Sequence, residues 1–290
     1  MIEEISKICE VEENQSIRNT FKLESKCFAM VKPGSEEELK EVIDIIKKNN
    51  YKYVVLGNAS NVILPEYYDG VVIKLEKLNK YEVHEDYVYA EAGVMLNKLA
   101  NDLVNLGYKG LDFAVGVPGS IGGSVYGNAG CFGSSISEVL ISANIFDGEK
   151  IITLSNEELK FDYRYSMLKD HKNYIVISCK FKIEETDINE LKERVKEINT
   201  KRTTSQDLTH PSNGSVFRNP EGYSAGKLID DLGLKGHSVG DASVSMIHAN
   251  FIINNGHATS EDIIKLIDEI KEKVKKEYDI DLKLEQEIIK

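Results

Sequence analysis

Residues Gly116 to Gly130, GVPGSIGGSVYGNAG, place six glycines in fifteen positions with Pro118, two serines and no charged side chain. Glycine serves where φ must be positive or where another group must approach the main chain closely. The run therefore forms either tight turns or a cradle for a ligand. A solvent-exposed linker would carry more polar and charged residues, whereas Val117, Ile121 and Val125 imply a path that is at least half buried. Glycine-rich loops associate with phosphate groups, which favours the cradle. The run matches neither G-x-G-x-x-G after a strand nor G-x-x-x-x-G-K-[ST], so by itself it does not name the ligand.

The chain has 290 residues, enough for two or three packed subdomains. A formal net charge of -12 argues against general nucleic-acid binding, which needs a basic face, and leaves an anionic small molecule open. The first residues, MIEEISKICEVEENQ, are acidic and lack the apolar centre of a secretory signal. No apolar run is long enough to span a bilayer, so a cytoplasmic protein without membrane insertion is expected. Cys9, Cys27, Cys131 and Cys179 lie far apart with no C-x-x-C spacing, which suits reduced thiols better than disulfides or zinc, and no metal site is expected.

Ser35 followed by Glu38 reads as a capping box, and Leu39, Val42, Ile43 and Ile46 recur behind it at helical spacing. CFAMV (27–31) and YVVL (53–56) flank that helix as strands. The resulting β-α-β unit runs directly into GNASN, Gly57 to Asn61, at the carboxyl end of a strand, where open α/β sheets place ligands. Short strands are expected at 71–75, 81–84, 87–93, 139–146, 150–154 and 175–183, with a helix from about Met95 to Leu106 and a turn at Asp147-Gly148. Charge alternates on a helical pattern from Asp187 to about Thr203, and further helices fall at about 224–232 and 260–277. In the last of these, Ile263, Ile264, Ile267, Ile270 and Val274 form one apolar face. DLKLEQEIIK reads as a final strand. Strands and helices alternate without a strict rhythm, so the fold class is α+β with mixed sheets.

Seven blocks follow in fixed order: GNASN (57–61), GVPGSIGG (116–123), YGNAG (126–130), DYRYS (162–166), NGSVFRNP (213–220), SAGKLIDDLGLKG (224–236) and SMIHANFIIN (245–254). Together they resemble the UDP-N-acetylenolpyruvoylglucosamine reductases (UDP-N-acetylmuramate dehydrogenases) of bacterial peptidoglycan synthesis. The resemblance runs from about Asn19-Thr20-Phe21 to Glu287 and is to the shorter form of the family. It implies a two-part FAD-binding domain of the p-cresol methylhydroxylase type, with subdomains at 1–75 and 76–200. A smaller α/β substrate-binding domain follows at 201–290, its C-terminal strand returning to the active site.

The resemblance also implies roles for particular residues. Gly57, Asn58, Ala59, Ser60 and Asn61, with Gly116, Pro118, Gly119, Ser120, Gly122 and Gly123, would line FAD. The glycines would let main-chain N–H groups reach its diphosphate, and Ser60, Asn61 and Ser120 would add side-chain donors. The family uses NADPH to reduce UDP-N-acetylglucosamine enolpyruvate, with hydride passing from reduced flavin to the enolpyruvyl methylene. Arg164 and Glu287 match the residues that stabilise the resulting carbanion, with Glu285 the alternative glutamate, and Ser215 matches the proton donor. Asn219, Lys235 and His248 fall on positions near the nucleotide-sugar substrate. The chain departs from the family at KLESKCFAM after Phe21, at GNASN where more glycine is usual, and at Gln286 and Ile288-Ile289, where L-E-P-E-V-R is usual.

Overall fold

A computed structural model describes all 290 residues. The chain divides into two compact units, neither contiguous in sequence: Met1–Gln15, Phe28–Asn58 and Asp69–Thr200 form the first, and Ser16–Cys27, Ala59–Tyr68 and Lys201–Lys290 the second.

The first unit contains the glycine run. Its helix Glu36–Lys48 starts as the sequence indicates: the Ser35 hydroxyl accepts from the Glu38 N–H at 3.2 Å, while the Glu38 carboxylate reaches back to the Gly34 N–H at 2.7 Å. Three glutamates in the first turn and Lys47 and Lys48 in the last oppose the helix dipole favourably. Leu39, Val42, Ile43 and Ile46 are buried. The flanking strands Lys26–Lys32 and Tyr53–Val55 are not neighbours, because Tyr67–Ile73 lies between them and pairs in parallel with Tyr53–Val55.

A five-stranded antiparallel sheet follows, ordered Ile151–Ser155, Leu140–Phe146, Ile175–Lys182, Tyr87–Glu91 and Tyr81–Val83. Its first hairpin turns at Asp147-Gly148, with Gly148 at φ 104° and the Asp147 carboxylate accepting from the N–H groups of Glu149 and Lys150. The central strand is buried on both faces from Ile175 to Cys179. Side chains from both sheets join one cluster that runs from Val31 and Leu39 through Leu99 to Ile177 and Phe181. The subdomains expected at 1–75 and 76–200 thus draw on a single core. None of the four cysteines forms a disulfide, and burial raises the Cys179 thiol pKa far above its ordinary value.

The second unit is built on short strands. Ser238–Val239, Ala242–Val244 and Ile252–Asn254 form an antiparallel sheet. The helix Ser260–Tyr278 begins in a complete capping box between Thr259 and Asp262 and buries Ile263, Leu266, Ile267, Ile270 and Val274. Ile264, expected on the same face, is only partly buried.

Phe21, Leu23 and Ile63 belong to this core, so residues 16–27 and 59–68 pack with 201–290 rather than with the first 75 residues. The final segment makes less strand than expected: only Glu287–Ile288 pairs, in parallel, with Val62–Ile63, and Leu284 bridges Phe217. With ladders this short, buried amide side chains satisfy the main chain that sheets would otherwise pair. Asn254 donates to the Phe21 carbonyl at 2.9 Å and accepts from Gly256 and Ala258. Asn213 donates to the Val62 carbonyl at 2.7 Å.

Candidate active site

In the first unit the two glycine-bearing segments touch. A Cβ on Gly57 would stand 2.3 Å from the Ser120 hydroxyl oxygen, so only glycine fits while Ser120 keeps its rotamer. Part of the run is helical where the sequence suggested tight turns or a cradle: Ile121–Tyr126 forms a short helix despite two glycines. Ser120 caps it by accepting from the Gly123 N–H at 3.4 Å, and Ile121 and Val125 are fully buried, which outweighs the low helix propensity of glycine.

The run is also stitched to residues 92–96. Ile121 donates to the Val94 carbonyl at 2.8 Å, Gly122 to that of Ala92 at 2.9 Å, and Leu96 to that of Gly119 at 2.8 Å. The N–H groups of Gly119, Gly122 and Gly123 therefore have partners inside the chain, and the expectation that each would reach a diphosphate is not met by this arrangement. Packing favours glycine at 122 instead, since a Cβ there would lie 3.1 Å from that of Ala92, closer than ordinary contact.

Arg164 sits at the tip of a tight turn closed by paired main-chain bonds between Asp162 and Tyr165, at 3.0 and 3.1 Å. Its φ is 56°, a left-handed conformation that side chains rarely adopt. Two contacts over-determine this conformation. The guanidinium donates to the Gly130 carbonyl at 2.7 Å, and the buried Asn128 donates to the Asp162 carbonyl at 2.9 Å while accepting from the Ser137 N–H. The guanidinium carbon also lies 5.4 Å from the centre of the Tyr163 ring. YGNAG and DYRYS are thereby one structural device, and the role of Asn128 was not read from sequence. An Asn two residues before a glycine of close approach was the available signal.

In the second unit, Ala59 holds φ 49° without the glycine that would make it easy, which bears on the departure noted at GNASN. Asn61 ties this loop to the C-terminal segment: its side chain donates to the Glu285 carbonyl at 3.1 Å and its own carbonyl accepts from the Glu287 N–H at 3.0 Å. One of the side-chain donors expected for FAD is thus already engaged. Glu287 is the glutamate whose residue lies in the parallel pair, and Glu285, two residues earlier, bonds through its N–H to the Val216 carbonyl at 2.8 Å.

Ser215 is partly buried, follows Gly214 at φ 75°, and bridges Phe251. Val216 donates to the Asn250 carbonyl at 2.9 Å, and the Asn250 side chain pairs with both N–H and C=O of Phe217, at 3.0 and 2.8 Å. Sequence reading placed no weight on Asn250.

Asn219, Lys235 and His248 gather around the helix Ala225–Asp231. Asn219 accepts from the Ala225 N–H at 3.0 Å, a helix-capping bond, and Lys235 pairs with Asp230 at 2.8 Å. The His248 ring packs against Phe251 at 4.5 Å between centres and accepts from the Asn250 N–H at 3.2 Å, which requires an unprotonated Nδ1. Burial lowers its pKa and the charge of Lys235 acts in the same direction, against a hydrogen bond to its own backbone. Ser245 holds the loop leading to His248, accepting from the N–H groups of Ile247 and His248 and donating to the buried Asp207 at 2.8 Å. Burial works against the charged form of Asp207, but bonds from His210, Ser245 and Thr209 outweigh it and bring the carboxyl down to about 2.

No group of three or more His, Cys, Asp or Glu side chains is placed to hold a metal ion, and no helix is long and apolar enough to cross a membrane. The residue types suit an anionic cofactor such as FAD, since neither 57–61 nor 116–123 carries a carboxylate, although Gly119, Gly122, Gly123 and Asn61 already spend donors inside the chain.

Known proteins match this chain along most of its length. Residues 28–153 match the FAD binding domain family, and residues 206–289 match the family described as UDP-N-acetylenolpyruvoylglucosamine reductase, C-terminal domain. The chain is 41% identical over 284 residues to the UDP-N-acetylenolpyruvoylglucosamine reductase of Clostridium novyi, covering 97% of this chain and 92% of that one. It is 39% identical to the enzyme of that name from Caldanaerobacter subterraneus, covering 93% and 90%. The crystal structure of UDP-N-acetylenolpyruvylglucosamine reductase from Thermus caldophilus superimposes with a TM-score of 0.82 at 30% identity, covering 97% of this chain and all of that one. A BBE-like protein of Physcomitrella patens aligns with 64% of this chain and 44% of its own at a TM-score of 0.52 and 15% identity, a likeness of fold alone. Matches in sequence and structure along nearly the whole length show that the chain belongs to the UDP-N-acetylenolpyruvoylglucosamine reductase family.

Proposed function

We propose that this chain reduces UDP-N-acetylglucosamine enolpyruvate to UDP-N-acetylmuramate at the expense of NADPH, in the cytoplasm, as a step of peptidoglycan precursor synthesis. The observation that carries the reading is Arg164, held in a left-handed turn by Asn128 and Gly130 in a chain 41% identical to a reductase of this name. FAD, held by residues 57–61 and 116–123, supplies when bound a hydride donor that NADPH recharges.

The chain's own residues then manage charge and a proton. Hydride addition to the enolpyruvyl methylene leaves an electron pair on the carbon beside the carboxylate. A planar guanidinium meets such a group with charge-assisted, bidentate bonds, so Arg164, with Glu287, stabilises the carbanion. Its bond to the Gly130 carbonyl restrains the guanidinium beforehand and spares part of the entropy of orienting it during the reaction. Ser215 gives its hydroxyl proton to that carbon and recovers one from water. A serine is a weak acid, so it serves only against a strongly basic carbanion and only with its direction fixed.

Lys235, His248 and Asn219 receive the nucleotide-sugar end. Lys235 exchanges its contact with Asp230 for substrate phosphate, and a neutral His248 offers a hydrogen bond without adding charge.

The test is anaerobic. The FAD-loaded protein is reduced with NADPH, UDP-N-acetylglucosamine enolpyruvate is added, and flavin absorption is followed. Bleaching by NADPH and recovery on adding substrate is the expected trace. Bleaching without recovery would move the substrate assignment elsewhere, and no flavin signal after adding FAD would overturn the reading.

A further inference from the structure

Gln286 is 2% exposed, and its amide nitrogen donates to two consecutive carbonyls, those of Gly214 and Ser215, each at 3.3 Å. Its amide oxygen is buried without a partner. The opposite amide orientation would set that oxygen against the two carbonyls, so the contacts fix which way the group faces. A methionine here would fill similar space and leave no orphaned oxygen. What the glutamine adds is the pair of bonds.

Those bonds act on one residue. The Gly214 carbonyl lies in the peptide plane that precedes Ser215, and the Ser215 carbonyl in the plane that follows it. Tying both planes to one rigid amide fixes φ and ψ of Ser215, and with them the direction of its Cα–Cβ bond. The turn needs such a hold, because Gly214 at φ 75° is a conformationally permissive residue immediately before it. On the other side Val216 is held by the Asn250 carbonyl. The hydroxyl is left with rotation about χ1 only.

We infer that Gln286 is a positioning residue for proton delivery, aiming the Ser215 hydroxyl through the two peptide planes that flank it. This rests on the reading of Ser215 as proton donor. Gln286 touches neither substrate nor cofactor in this role. Its removal leaves the donor present but free to turn, and loss of orientation alone costs an order of magnitude or more.

The experiment compares Gln286→Met, Ser215→Ala and the double variant, each FAD-loaded, with the two half-reactions followed separately and thermal stability and flavin content recorded. Gln286→Met is expected to slow flavin reoxidation by UDP-N-acetylglucosamine enolpyruvate by about tenfold or more. Reduction by NADPH stays within about twofold, and the solvent deuterium isotope effect on reoxidation rises as protonation becomes limiting. In the Ser215→Ala background the same change adds nothing, because no hydroxyl remains to be aimed. An unchanged reoxidation rate, an equal loss in both half-reactions, or the same loss with and without Ser215 would overturn the inference. Normal reoxidation in Ser215→Ala would overturn the proton-donor reading, and this inference with it. Should Gln286→Met fail to fold, Gln286→Glu keeps the shape and can donate one bond only while protonated. Its rate relative to wild type is then expected to fall as pH rises, and a pH-independent ratio would overturn the inference.

Discussion

The glycine run of the first unit and the Ser215 loop of the second are both main-chain constructions, yet they are held in different ways. Residues 116–126 are secured by a hydroxyl cap and by backbone bonds to a segment only some twenty-five residues earlier, beside a five-stranded sheet. Residues 213–217 are secured by the side chains of Asn250 and Gln286, which come from distant parts of the chain, and by the bond from Asn213 to the Val62 carbonyl, among ladders of two or three residues. A long sheet can satisfy its main chain by repetition. Short strands hand that task to individual amides, and each amide then becomes a single point of failure.

The sharpest attack on this contrast is chemical. Ser215→Ala is expected to slow substrate-driven flavin reoxidation on the order of 10²-fold or more, equivalent to about 2.7 kcal/mol, while flavin reduction by NADPH stays near normal. Equal slowing of both steps in rapid-mixing traces would make Ser215 structural. Asn250→Ala comes next. It leaves the N–H and C=O of Phe217 buried without the amide that pairs them, and a loss of about 2–3 kcal/mol in denaturant unfolding is expected. A loss below about 0.5 kcal/mol would show that short strands do not depend on such amides.

Acid probes the same unit more gently. The folded-state pKa of Asp207 lies at about 2, below its unfolded value of about 3.9, so its contribution is complete above about pH 4 and is lost as pH falls toward 2. Its size is about 2 kcal/mol. Asp207→Asn should be less stable at neutral pH and should lack that acid-side decline, and parallel pH–stability curves for the two proteins would refute the assignment. The smallest effect belongs to the first unit. Gly57→Ala displaces the Ser120 hydroxyl from its cap and should cost about 1 kcal/mol, and Ser120→Ala in the same chain should make the added methyl tolerable. Strictly additive losses in melting experiments would show that the two segments do not press on each other.

What could be read from sequence follows the same division. The helices Glu36–Lys48 and Ser260–Tyr278 announce themselves because capping and 3.6-residue periodicity are local signals. The strands of the five-stranded sheet fell within a residue or two of expectation because apolar runs bounded by turn residues are local signals too. The short helix Ile121–Tyr126 was hidden, since its stability comes from burial of Ile121 and Val125 rather than from propensity. The final strand was over-read: alternation in DLKLEQEIIK suggests a ladder, but Gln286 turns its side chain to the Ser215 loop and only two residues pair. The grouping of residues 16–27 and 59–68 with the C-terminal part was invisible as well. Nothing in a stretch such as ASNVILPEYY states which distant core will receive Ile63. The blocks that carry the proposed site residues were legible as motifs, whereas the amides that brace them act across long sequence separations and carry no motif of their own.

The interleaved connectivity of the two units bears on how the chain is made. Residues 16–27 and 59–68 leave the ribosome early, but the core that receives Phe21, Leu23 and Ile63 is completed only by residues beyond Lys201. During synthesis at about 5–20 residues per second these apolar segments wait without their partners. The first unit can collapse around its own side chains in that interval, with two unfinished excursions hanging from it. Neither unit can therefore be released by a single cut, and a gene fragment ending near residue 200 would carry two pieces of the second unit without the residues that complete their core.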